Sequence, residues 1–112
     1  MTNAKDFLGK EVAVTIDRQL GTKHPKWDFI YESNYGFIPG TISPDGEELD
    51  AYLLGIDSPV SKGTGKVIAI IHRTNDDDDK LIVSVKGVDI DDKEIRRKTD
   101  FQEKFFESII IR

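Results

Sequence analysis

The chain has 112 residues, 38% of them hydrophobic and 33% charged, which suits one domain spanning 1–112 with a modest core and excludes a wholly disordered chain. Its 21 acidic against 16 basic residues leave a net charge of −5, which argues against a nucleic-acid binder because phosphate neutralisation needs a basic face. The absence of cysteine excludes a disulfide framework, a thiolate nucleophile and a Cys-ligated zinc site. No apolar run approaches the ~18 to 20 residues that cross a bilayer, and the opening MTNAKDFLGK lacks a signal-peptide hydrophobic region. A cytoplasmic protein without membrane association is the resulting expectation.

Glu11 to Ile16 (EVAVTI) alternates and is rich in β-branched residues, so it reads as a strand with Asp17 and Arg18 just past its end. Gln19 to Asp28 follows as a basic loop, broken by Gly21 and Pro25 and carrying Lys23, His24 and Lys26. Phe29 to Tyr31 and Gly36 to Ile38 read as short strands around a Ser33-Asn34 bend. Leu49 to Leu54 reads as another, after the turn Ser43-Pro44-Asp45-Gly46. Gly55 to Gly65 reads as loop. Lys66 to His72 (KVIAIIH) and Leu81 to Val85 (LIVSV) are apolar runs of strand length joined by Thr74 to Lys80, TNDDDDK.

In the last quarter, Asp91 with Glu94 and Thr99 with Gln102 both match the capping-box spacing, predicting two helices or one kinked helix. Ile95, Gln102, Phe105, Phe106 and Ile109 lie near one face of such a helix, with Phe105 and Phe106 closing one side of the core. The sum is a mainly β (α+β) fold: a small β-barrel of five or six mostly antiparallel strands with a C-terminal capping helix.

Carboxylates crowd two places. In the turn, Pro44 and Gly46 leave Asp45 at the tip. Glu47, two residues on, faces the same side where the chain is extended, and Asp50 enters from the strand start. Like charges this close repel unless a cation binds, and hard oxygen ligands select Mg²⁺, Mn²⁺ or Ca²⁺. The same turn also reads as a solvated hairpin tip. The second place is Asp76 to Asp79, which reads either as a solvated loop or as a source of further ligands: Asp78 for the same cation, with Lys80 at its edge. A cation beside a lysine suits a phosphate ester or anhydride. His24 and His72 read as a surface and a structural residue respectively, and Trp27 as a loop anchor.

The segment NYGFIPG, Asn34 to Gly40, followed by Asp45-Gly46-Glu47-Glu48-Leu49-Asp50, resembles the signature region of the soluble family I inorganic pyrophosphatases, an Asn-Tyr-Gly stretch and then Asp-x-Asp-x-x-Asp opening a strand. DDDDKLIVSV resembles the segment where that family carries a metal-binding Asp two residues before a phosphate-binding Lys. The resemblance implies a five-stranded barrel of OB type and Mg²⁺-dependent hydrolysis of pyrophosphate to two phosphates, with Mn²⁺ as an alternative metal. By position it implies Asp45, Asp50 and Asp78 as ligands of a first metal, Asp50 bridging to a second, and Asp17 contacting the second through water. Tyr35 and Lys80 would bind phosphate oxygens, Tyr31 would support the wall, and Glu47 stands where the family places an Asp as general base. Arg18, Lys23 and Lys26 are candidates for the substrate clamp, because the stretch from Arg18 to Asp28 is shorter than the family's corresponding hairpin. The family's Tyr-Lys pair after Phe-Phe-Glu is here Ile109-Ile110, which reads as core. Homo-oligomers are common in the family. Two other readings remain open: a metal-dependent phosphatase for another phosphoanhydride or phosphoester, and a noncatalytic module that binds a phosphorylated ligand.

Overall fold

The computed structural model describes residues 3–112 except 44, 45 and 77. The described residues form six strands: β1 (Glu11–Arg18), β2 (Asn34–Ile38), β3 (Leu49–Leu54), β4 (Lys62–Arg73), β5 (Asp78–Ser84) and β6 (Ser108–Ile111). Among the described residues one α-helix, α1 (Asp92–Glu103), lies between β5 and β6. The sheet order is β1-β2-β3-β5-β4-β6, and β1 also pairs with β4, so the first five strands close into an OB-like barrel. The β3–β5 pair is parallel and every other pair antiparallel.

Closure depends on β4, a 12-residue strand that serves two neighbours. Its first half, Lys62 to Lys66, pairs with β1, and its second half, Ile70 to Arg73, pairs with β6. A register shift against β5 between Val67 and Ala69 bends the strand between these halves. Where the coiled strands press together the sequence supplies glycine. A Cβ on Gly36 would stand 1.8 Å from the Thr15 carbonyl oxygen, and one on Gly65 would stand 2.4 Å from that of Ser84.

The apolar runs in β3, β4 and β5 are near-continuous because both faces of these strands are covered. Val14, Ile38, Ala51, Leu53, Ile70, Leu81 and Val83 fill the barrel interior. Tyr52, Leu54, Ala69, Ile71 and Ile82 point outward and are buried beneath Ile95 and Phe101 of α1, with Tyr31 beside them.

Several expectations need correction. Phe29 to Tyr31 is not a strand: it makes an isolated bridge, Lys23 to Ile30, inside the basic loop. The segment read as loop up to Gly65 already belongs to β4 from Lys62, because pairing with β1 outweighs the weak strand propensity of KGTG. Asp91 does cap α1, its carboxylate accepting from the Glu94 amide at 2.8 Å. Thr99, in contrast, lies inside the same helix, and its hydroxyl donates back to the Ile95 carbonyl at 2.9 Å. Since α1 ends at Glu103, Phe105 and Ile109 leave the helical face and are exposed, as are more than half of Phe105 and half of Ile109 by area. Ile95 and Phe101 do the covering instead. Ile109 and Ile110 lie in β6; Ile110 packs against the cluster beneath α1, and Ile109 does not.

Candidate active site

Strand alternation carries the outer face of the barrel from apolar to charged. Along β3, Leu54 and Tyr52 lie under α1, and the next residue on that face is Asp50. Along β5, Ile82 is followed by Lys80 and then Asp78. The parallel register sets Asp50 beside Lys80, and the antiparallel register sets Arg73 of β4 beside Asp78. The charged row therefore begins beyond the C-terminal end of the helix.

Lys80 is almost fully buried, and its ammonium donates to Asp50 Oδ2 at 2.5 Å and to Asp78 Oδ2 at 2.7 Å. Two carboxylates from adjacent strands are thus aimed at one cationic nitrogen. Asp17, in the irregularity of β1 between Ile16 and Arg18, completes one side. Partial desolvation holds its carboxyl above the ordinary value, Arg18 opposing the shift and Asp50 adding to it. Tyr35, paired with Tyr52 across β2 and β3, hydrogen-bonds Asp50, and the Lys80 ammonium lies 5.9 Å from its ring centroid. Burial first, then the Asp50 charge, pushes the Tyr35 phenol well up, so it stays a proton donor.

Arg18 donates to the Asp17 carbonyl at 3.2 Å and hydrogen-bonds Tyr31. The buried Tyr31 hydroxyl donates to Gln102 Oε1 at 3.1 Å. Lys23 pairs with Asp28 at 3.5 Å, both largely exposed. Glu47 is exposed, and its carbonyl accepts from the Ser43 amide at 2.7 Å and the Ser43 hydroxyl at 3.0 Å, which ties the two sides of the turn together. Asp45 lies outside the described residues.

Behind the carboxylates stands a buried network that the sequence reading did not single out. Arg73 forks onto Glu103, Nε to Oε1 at 2.9 Å and a terminal nitrogen to Oε2 at 2.6 Å. The Tyr52 hydroxyl donates to the same Oε2 at 2.5 Å and accepts from Gln102 Nε2 at 2.6 Å. The outer nitrogen of Arg73 approaches Asp78 at 3.8 Å, and its guanidinium stacks 3.7 Å over Phe106. Burial works against the Arg73 charge, but the Glu103 hydrogen bonds and charge outweigh it and hold its pKa above the ordinary arginine value. The sequence carried one hint of this: an arginine ends the strand just past the apolar run Val67 to Ile71.

Among the described residues no three carboxylate or histidine side chains form a ready cation cage. Asp50 and Asp78 nevertheless converge on a cation, with Asp17 alongside, and such a set of oxygen donors fits a hard divalent ion.

The fold is a closed five-stranded barrel of OB-like plan, with paired acidic strand ends and a buried lysine on its outer face. The family model for inorganic pyrophosphatase matches residues 7–110, and the chain belongs to that family. An inorganic pyrophosphatase of Pseudomonas aeruginosa is 31% identical over 100 residues, covering 84% of this chain and 54% of its own. Inorganic pyrophosphatase 1 of Pseudomonas syringae is 36% identical over 64 residues, covering 54% of this chain and 33% of its own. The chain thus spans between a third and about half the length of these relatives. The crystal structure of inorganic pyrophosphatase from Ehrlichia chaffeensis shares the fold, with a TM-score of 0.69 at 18% identity over 90% of this chain and 84% of that one. No helix among the described residues is long and apolar enough to cross a membrane.

Proposed function

We propose that residues 1–112 act as one domain that hydrolyses pyrophosphate to two phosphates, in the cytoplasm, with Mg²⁺, or Mn²⁺ in its place, held by Asp50 and Asp78 together with Asp45, and with Asp17 near a second ion. The observation that carries this reading is the convergence of Asp50 and Asp78 on Lys80 in a chain of the inorganic pyrophosphatase family. When bound, the divalent ion supplies charge neutralisation at phosphate oxygens and a water of lowered pKa.

The remaining chemistry belongs to the side chains. Lys80 and Arg18 offset phosphate charge, Lys80 exchanging a carboxylate contact for a phosphate oxygen, and Lys23 adds cationic charge from the loop. Tyr35 keeps its proton and donates it in a hydrogen bond. Tyr31 holds the wall through Gln102. Glu47 accepts the proton of the attacking water, so no covalent intermediate on the protein is needed.

The test measures phosphate release from pyrophosphate, with and without Mg²⁺, in the wild type and in Asp50→Asn, beside thermal unfolding of both. Mg²⁺-dependent turnover that falls by at least ~100-fold in Asp50→Asn is expected, with a Mg²⁺-dependent rise in Tm confined to the wild type. Turnover without any divalent ion, or Asp50→Asn equal to the wild type in both measurements, would overturn the proposal.

A further inference from the structure

Beside the acidic cluster lies a pocket of about 400 Å³ whose walls are aromatic: His24, Trp27 and Phe29 from the loop after β1, Phe105 and Phe106 from the segment after α1. Tyr35 and Arg73 form its floor, and both also reach the carboxylates, Tyr35 through Asp50 and Arg73 at 3.8 Å from Asp78. The pocket and the charged row are therefore continuous. Its volume falls in the range of sites for organic ligands and exceeds what a small inorganic anion fills.

The walls are held in place before any ligand arrives. His24 Nδ1 accepts from the Lys26 and Trp27 amides at 3.0 Å each, and the His24 amide donates to the Phe29 carbonyl at 3.0 Å. The rings of His24 and Phe29 stand 5.0 Å apart, and those of Phe29 and Phe105 stand 6.0 Å apart at an interplanar angle of 31°. Trp27 and Phe105 are 62% and 58% exposed, so two large apolar side chains are left open to water at the same mouth. Exposed aromatics gathered around a concavity whose floor runs on to the row bearing Lys80 suit a flat ring carrying an anionic group.

We propose that this pocket binds the base of a nucleoside diphosphate whose phosphates lie at Asp50, Asp78 and Lys80. The inference rests on the reading of that cluster as a phosphate and metal site, and it extends the substrate class from inorganic pyrophosphate to a phosphoanhydride bearing a planar aromatic substituent. A single stacked base strengthens binding by roughly 5- to 150-fold.

Trp27 is the chain's sole tryptophan, so its emission reports directly on the pocket. Titrations with ADP, methyl diphosphate and pyrophosphate in Mg²⁺ separate the base from the phosphates, since methyl diphosphate keeps the charged group and lacks the ring. The expected result is a change in Trp27 emission with ADP, a Kd for ADP at least 5-fold below that for methyl diphosphate, and a ratio that collapses toward one in Phe105→Ala. Equal affinities for ADP and methyl diphosphate, with pyrophosphate still bound, would sink the base pocket and leave the proposed function standing. Failure of all three to bind would remove both. Trp27 emission that instead varies with protein concentration without ligand, alongside dimerisation in sedimentation, would assign the aromatic mouth to a second copy of the chain and overturn the inference.

Discussion

Arg73 and Glu103 form a charged pair beneath an otherwise apolar face, both nearly fully buried. Each terminus of the fork is used, and Tyr52 takes a further lone pair on Glu103. Neutralising one member strands the other. Glu103→Gln should therefore cost about 3 kcal/mol, read as a drop in the urea midpoint at unchanged slope; a midpoint within error of the wild type would show that the pair does not hold α1 to the barrel. At Glu47 the question is catalytic. The proposed base is one methylene longer than the aspartate common in the family, and a misplacement of ~1 Å can cost ~100-fold in rate. Glu47→Asp should accordingly raise phosphate release from pyrophosphate, whereas an equal or lower rate would show that the turn closed by Ser43 already accommodates the longer side chain.

The segment between β1 and β2 forms no named strand, and its tip is ordered by the His24 side chain. His24 offers Nδ1 to two backbone amides, which only the neutral ring can do through that nitrogen. Desolvation, then Arg18 and Lys26, lowers its pKa. For a base whose folded pKa is depressed, the stabilising contribution is present above the unfolded value of about 6.5 and is lost as pH falls through the folded value. Proton titration by NMR should place His24 below that ordinary value, and Trp27 emission should change over the same interval on acidification. A midpoint at or above the ordinary value would mean that the paired amides do not restrain the ring. Little of this was visible in the sequence, which marked the segment as a basic loop through Gly21, Pro25 and its lysines. The bonds from the Gly21 amide to the Tyr31 carbonyl and from the Tyr31 amide to the Thr22 carbonyl span the loop, and the short-range bonds to His24 follow no hydrophobic period.

At the scale of the whole molecule, barrel closure constrains residues that make no contact with the site. Gly36 lets β2 approach β1 so closely that a methyl group would collide with the Thr15 carbonyl, a backbone atom that cannot move without the strand. Gly36→Ala should cost about 3 kcal/mol or more, measured by thermal or urea unfolding followed by circular dichroism. The same substitution should weaken Mg²⁺ binding, because Asp17 is carried by β1 and Asp50 by β3, on either side of β2. Wild-type stability in this variant would show that the strands can separate without opening the barrel.

The amino-acid sequence alone determined the strands that alternate or run apolar and the Asp91 cap of α1, because each rests on local periodicity or a short-range hydrogen bond, while its resemblance to the family nominated Asp50, Asp78, Lys80 and Tyr35. It could not place Thr99 inside the helix, release Phe105 from the helical face or reveal Arg73 and Glu103 as partners. The Arg73–Glu103 pair joins residues 30 apart in the chain, and the places of Thr99 and Phe105 follow from α1 running on to Glu103 and ending there. Only the tertiary structure set Asp50 beside Lys80 and opened the aromatic pocket against them, because strand register and closure, unlike hydrophobic period, are properties of the assembled sheet.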